Sequence, residues 1–147
     1  MPDGPTQPVL TLAIEIANPG SAPGAGGRGS GGGVAIGLVT PGESGATKLV
    51  GVELLREVER DRDDLIPTIE RLLAGGSCTL KDLQRVAVSV GPGGFTSTRV
   101  ACATGAMLAE GLAVPSVAVP SALVAVVHAR RVTPSAAGPA AVLMASK

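Results

Sequence analysis

The sequence predicts a mixed α/β domain in which a three-strand meander comes first and βαβα units follow. Two observations carry that expectation. Three short runs rich in Val, Ile and Leu stand in succession: Val9–Ile16, Gly32–Val39 and Thr47–Glu53. After residue 56 the apolar spacing changes, and helical segments alternate with strands. A third observation bounds the size. With 147 residues, 45% of them hydrophobic, the chain suffices for one domain with a single core. Phe95 is the only aromatic residue, so that core must be built from Val, Leu, Ile and Ala.

Met1–Pro8 is polar, carries three prolines and reads as a disordered tail. Val9–Ile16 is a strand because it is short, apolar and flanked by Pro8 and Asn18. Residues 18–33 form a low-complexity insertion with eight glycines, and Thr40–Ala46 is the turn between the next two strands. Glu57–Ala74 places apolar residues at 65, 66, 69, 72 and 73, a helical spacing. Pro67 is tolerated there if the regular helix starts near Asp63 or Asp64. Leu65 and Leu72 need not share the face of Ile66, Ile69 and Leu73, which leaves apolar surface over. Val86–Val90 is a buried-type strand, Thr96–Leu112 a helix and Pro115–Val119 another strand of the same kind. Ser121–Arg131 reads as a helix, although its Val-rich run also suits a strand. Ala140–Ala145 reads as a final strand.

Composition excludes several functions. Twelve basic residues balance twelve acidic ones, and Trp and Tyr are absent, which argues against a stand-alone nucleic-acid binder. Cys78 and Cys102 form no CxxC pair, so two free thiols in a reducing cytosol are expected. The start, MPDGPTQP, lacks the basic and apolar regions of a signal peptide. The longest apolar run, Ala122–Val127, is far too short to span a membrane. A cytoplasmic protein is expected.

Five features are candidates for chemistry. Gly24–Gly29 (GAGGRG) matches GxGxxG in form, but no strand precedes it directly and no helix opens from it, so a flexible insertion is the better reading. Gly91–Thr96 (GPGGFT) does follow a strand and open a helix. Its amides at Gly91, Gly93, Gly94 and Thr96 are phosphate-binding candidates, with Thr96 as the helix cap. A tight β-to-α turn explains the same residues. The carboxylates Glu53, Glu57, Glu59, Asp61, Asp63 and Asp64 suit a solvated helix start better than a metal site. Glu15 ends the first strand, where a phosphate-handling acid or a paired edge residue are both open. His128 is the only histidine and cannot make a two-histidine metal site. No metal and no cofactor is expected.

Thr96–Leu112 is rich in small residues. Ala101, Gly105 and Ala109 recur every four positions as a smooth stripe, while Val100, Ala103 and Met107 lie on another face. Such a helix can pack on the sheet with one side and on a partner with the other.

The runs LAIEI, VAIGLV and DDLIPTIERLLA, followed by TLKDLQRVAVSVGPGGFTSTRVACATGAMLAEGLAVPSVAVPSAL, resemble the TsaB (YeaZ) family in order and spacing. The most specific piece, SVGPGGFTSTR, is similar to the family's SxGPGSFTGLR. The resemblance implies an actin-like, ribonuclease-H-like lobe over residues 9–139, with 140–147 as the start of a truncated second lobe. It implies a non-catalytic dimerisation or scaffold subunit in the machinery that adds threonylcarbamoyl to adenosine 37 of tRNA. The implied partner is a TsaD-type catalytic subunit or a second copy, with tRNA reached only through the complex. The implied contact uses the helices near Asp64–Ala74 and Thr96–Leu112, through Leu65, Ile69, Leu72, Arg99, Cys102, Ala103, Ala106 and Met107. Replacing Ala103 or Ala106 by Arg is expected to abolish it.

The chain departs from the family where the first strand usually runs into an Asp-Thr-Ser-like turn, because Glu15-Ile16-Ala17-Asn18 stands there. Asp61 and Arg62 replace a frequent His-Ser, Gly94 replaces Ser, and Ser97-Thr98 replaces Gly-Leu. The alternatives are an ATP-dependent transferase or peptidase-like enzyme of the same superfamily, against which the single histidine speaks, and a degenerate lobe without a partner.

Overall fold

β1 (Val9–Glu15) is the middle strand of a five-stranded sheet, and everything else is arranged around it. The computed structural model describes residues 8–16, 33–39, 47–55 and 64–132. The expected tail, most of the glycine-rich insertion, the turn Thr40–Ala46, the acidic stretch before Asp64 and the strand Ala140–Ala145 lie outside the described residues. After β1 come β2 (Gly33–Val39), β3 (Thr47–Leu54), α1 (Leu65–Gly75), β4 (Arg85–Ser89), α2 (Phe95–Leu112), β5 (Ser116–Val119) and α3 (Ser121–Val132). The strand order is β3-β2-β1-β4-β5. β1–β2 and β2–β3 pair antiparallel, β1–β4 and β4–β5 parallel. The meander followed by parallel crossovers is therefore present, and α3 is a helix rather than a strand. The mixed α/β class matches the sequence expectation.

The core follows from the alternation of β1. Leu10, Leu12, Ile14 and Ile16 point to one face of the sheet and are buried there. The parallel register sets Leu12 beside Val86 and Ile14 beside Val88, so β4 extends the same apolar surface. α1 covers it with Leu65, Ile69, Leu72 and Leu73, and α2 with Ala101 and Ala109. Burial of each large side chain contributes roughly 1.5–3 kcal/mol before entropy is counted.

α1 begins at Leu65, with Asp64 as the residue before it, so Pro67 falls in the first turn where its missing amide hydrogen costs nothing. The Asp64 carboxylate accepts hydrogen bonds from the Thr68 hydroxyl (3.0 Å) and from both terminal nitrogens of Arg71 (3.0 and 3.3 Å). This local network holds the start of the helix. β5 corrects the expectation of a buried strand. Ser116, Val117 and Ala118 are exposed, because β5 is the edge of the sheet.

A short 3₁₀ turn at Leu80–Asp82 aims the chain into β4. There the Asp82 carboxylate accepts hydrogen bonds from the Thr79 hydroxyl and the Thr79 amide, both at 2.7 Å. The hydroxyl first, then the amide, hold the Asp82 carboxyl below its ordinary value of 3.8. A folded carboxyl with a lowered pKa adds stability that is complete above that ordinary value and fades as pH falls below it. The Asp82→Asn variant is accordingly expected to melt below the wild type at pH 7, and the gap to close in acid. Melting curves from pH 7 to pH 2 check this; a gap that widened in acid would reverse the sign.

Candidate functional site

α2 has two unlike sides. The inner stripe, Ala101, Gly105 and Ala109, is buried against the sheet, with Val100, Cys102, Leu108 and Leu112 half-buried beside it. Its small residues let the helix backbone approach β4. A Cβ built on Gly105 collides with the Val88 side chain. The outer side carries Phe95, Arg99, Ala103, Ala106, Met107 and Glu110, all exposed. Phe95 and Met107 are 73% and 71% exposed, more than any other large apolar side chain among the described residues. The Arg99 guanidinium lies 5.2 Å from the centre of the Phe95 ring, a cation–π distance.

The structure sorts the expected contact residues into two groups. Arg99, Ala103, Ala106 and Met107 lie on the open side of α2, and Cys102 is half-buried at the margin of the core. Leu65, Ile69 and Leu72 do not lie on an open side. Their exposures are 0%, 2% and 2%, and they belong to the chain's own core. At about 100° per residue, Leu65, Thr68, Ile69, Leu72 and Leu73 form one buried arc, and Ile66 falls just beyond its edge, next to Leu73. Ile66, 42% exposed, is thus the apolar side chain that α1 leaves uncovered. Sequence reasoning missed both Ile66 and Phe95. The signal for Phe95 was available: the only aromatic residue of the chain opens the small-residue helix.

The glycine turn is a structural joint. Gly91 has φ +89°, which favours glycine, and is buried. Its carbonyl accepts the Ser121 amide at 2.9 Å, and the Ser89 and Ser121 hydroxyls lie 2.5 Å apart. The turn so ties β4 to the start of α3. α2 starts at Phe95, with Gly94 before it, so Thr96 sits exposed within the first turn. That corrects the expectation of Thr96 as the cap; the Gly94 carbonyl accepts the Thr98 amide at 2.9 Å instead. Gly93 and Gly94 complete the turn. The Thr98 hydroxyl oxygen is buried beside Gly91 with no hydrogen-bond partner among the described residues.

Glu15 is half-buried at the end of β1, and the His128 side chain lies outside the described residues. Cys78 and Cys102 are both free thiols, as the cysteine count predicts. Among the described residues no helix is long and apolar enough to cross a membrane.

Sheet order and crossovers define a ribonuclease-H-like, actin-like lobe whose second helix turns an apolar side outward. A family model described as TsaD, tRNA N6-adenosine threonylcarbamoyltransferase, matches residues 58–146. The chain belongs to that family. Its fold is shared with "YeaZ from Pseudomonas aeruginosa", at 21% identity and TM-score 0.58, over 86% of this chain and 50% of that one. A second structure, an uncharacterised protein with similarity to peptidase YeaZ from Pseudomonas aeruginosa, matches at 21% identity and TM-score 0.59 over the same shares. The chain thus spans about half the length of these structures. Among curated protein sequences none matches it.

Proposed function

We propose that this chain acts in the modification of tRNA to threonylcarbamoyladenosine at adenosine 37, as a non-catalytic subunit. It offers the outer side of α2 to a TsaD-type catalytic subunit or to a second copy, and it meets tRNA only through that complex, in the cytoplasm. The observation that carries the reading is the exposed stripe Phe95, Arg99, Ala103, Ala106 and Met107 on a helix whose other side packs on the sheet through Ala101, Gly105 and Ala109. A soluble monomer normally scatters exposed apolar residues singly rather than lining them along one helix. Family membership supports the pathway, and small residues at 103 and 106 support close approach of a partner helix.

Sedimentation velocity of the chain alone, and mixed with a TsaD-type subunit, tests the reading. A complex is expected, and Met107→Asp is expected to weaken it roughly tenfold by placing a carboxylate in the contact. A wild-type chain that ignores the TsaD-type subunit, with self-association indifferent to Met107→Asp, overturns it. The family description favours a second reading, a transferase activity in the chain itself. Calorimetry with ATP and Mg²⁺ separates the two, since tight binding by this chain alone decides for the enzyme.

A further inference from the structure

β3 is the outer strand of the sheet next to β2, and no further strand lies beyond it among the described residues. An open edge is a template for another strand. No proline interrupts β3, and Leu49, Val50, Val52 and Leu54 are 60%, 36%, 52% and 62% exposed. Lys48 is exposed.

The strand is also self-complementary. In an antiparallel pairing with a second copy, centred between Val50 and Gly51, Lys48 of each chain faces Glu53 of the other. Leu49 then faces Val52, and Thr47 faces Leu54, so the eight residues of Thr47–Leu54 are all paired. A two-fold axis requires this reciprocity, and here every contact occurs twice. The pairing works only if facing residues share a side of the sheet. In a regular strand, positions 48 and 53 would lie on opposite sides. The register between β2 and β3 shifts at Ile36/Gly37, which leaves Val50 as an extra residue. Beyond it the sides are exchanged. Lys48 and Glu53 align with Leu38 and Val34, which continue to Leu10 and Ile14 on one side of β1. Leu49 and Val52 align with Gly37 and Ala35, which continue to Thr11 and Ala13 on the other. The bulge gives the strand its symmetry.

We propose that β3 pairs with β3 of a second copy in this register, joining two sheets into one of ten strands. Charge complementarity between Lys48 and Glu53, the latter already in the field of Arg71 from α1, favours a second copy over an unrelated strand. The contact is independent of the α2 reading. α2 packs on β4 and α1 on β2 and β3, so the outer side of α2 lies away from the β3 edge.

The test uses the full chain carrying Ala103→Arg, which blocks the α2 contact, and follows sedimentation velocity against concentration. A dimer is expected to persist. Lys48→Glu and Glu53→Lys each set like charges opposite each other twice, and each is expected to weaken the dimer roughly tenfold. An equimolar mixture of the two single variants, and the double exchange, restore opposite charges and are expected to dimerise within about threefold of the starting chain. Unchanged melting curves keep folding out of the comparison. A monomer at every concentration up to about 1 mM, or single variants that dimerise undiminished, or an exchange that restores nothing, would overturn the proposal.

Discussion

Ala103→Arg is expected to lose binding to a TsaD-type subunit by more than about a hundredfold while melting at the wild-type temperature. Ala103 sits mid-stripe, one turn beyond Arg99 and one turn before Met107, and is exposed. In the free chain an arginine there points into water. It meets only the like charge of Arg99 four residues earlier, which costs a few tenths of a kcal/mol on a helix surface. In a helix–helix contact the axes lie about 8–10 Å apart, and that distance is set by the side chains between them. A methyl group admits the approach. An arginine both props the helices apart and carries a charge that must be paired or stripped of water, a cost of several kcal/mol. Calorimetric titration with the partner and a melting curve on the same sample give both numbers. A variant that binds as the wild type does would move the contact off α2. A variant that binds poorly because it melts early would leave α2's role to Met107→Asp.

Gly105 faces the other way, and its substitution is expected to act on stability alone. The built Cβ meets Val88, a β-branched side chain on the central part of the sheet that has little freedom to turn aside. Two effects oppose each other in Gly105→Ala. Alanine in place of glycine favours a helix by about 1 kcal/mol. Overpacking a filled core costs about 1–3 kcal/mol. The collision is severe and both residues are buried, so the second effect wins, with a net loss of about 1 kcal/mol. Gly105→Leu adds volume with no space to receive it and is expected to lose about 3 kcal/mol. Val88→Ala removes the obstructing methyl groups, so the pair Gly105→Ala with Val88→Ala should lose less than the two single changes added together, by at least about 0.5 kcal/mol. Urea denaturation of the four chains measures this. A Gly105→Ala chain more stable than the wild type would show that α2 shifts freely on β4.

The contrast between these two substitutions marks what the sequence made legible. Strands with strict alternation, such as Leu10, Leu12 and Ile14 in β1, declare their buried side, since period two admits only two answers. The small-residue stripe of α2 was readable for a similar reason: Ala101, Gly105 and Ala109 recur every four positions, and the structure buries them. α1 was harder. Five apolar residues within nine positions cover too wide an arc for sequence alone to say which one the core leaves out. Packing decides, and it turned Ile66 outward where Leu65 and Leu72 were expected. The helix cap was misplaced because glycine and threonine both suit the position before a helix, and the turn geometry took Gly94. β5 reads as buried from Val117 and Val119, yet edge position is a property of the whole sheet, which no local window contains.

The central place of β1 has a consequence in time. A ribosome delivers β1, β2 and β3 first, and their pairings are complete once Leu54 has emerged. The side of β1 carrying Leu10, Leu12 and Ile14 then faces water, because its cover comes from Leu65–Leu73, from Val86 and Val88, and finally from Ala101 and Ala109. At ordinary elongation speeds the interval between Leu54 and Ala109 lasts roughly 3–10 s. Throughout it the nascent chain shows a flat, sticky row beside an open β3 edge. Slow codons or a lack of chaperones in that window are expected to raise aggregation, and faster delivery of α1 to lower it.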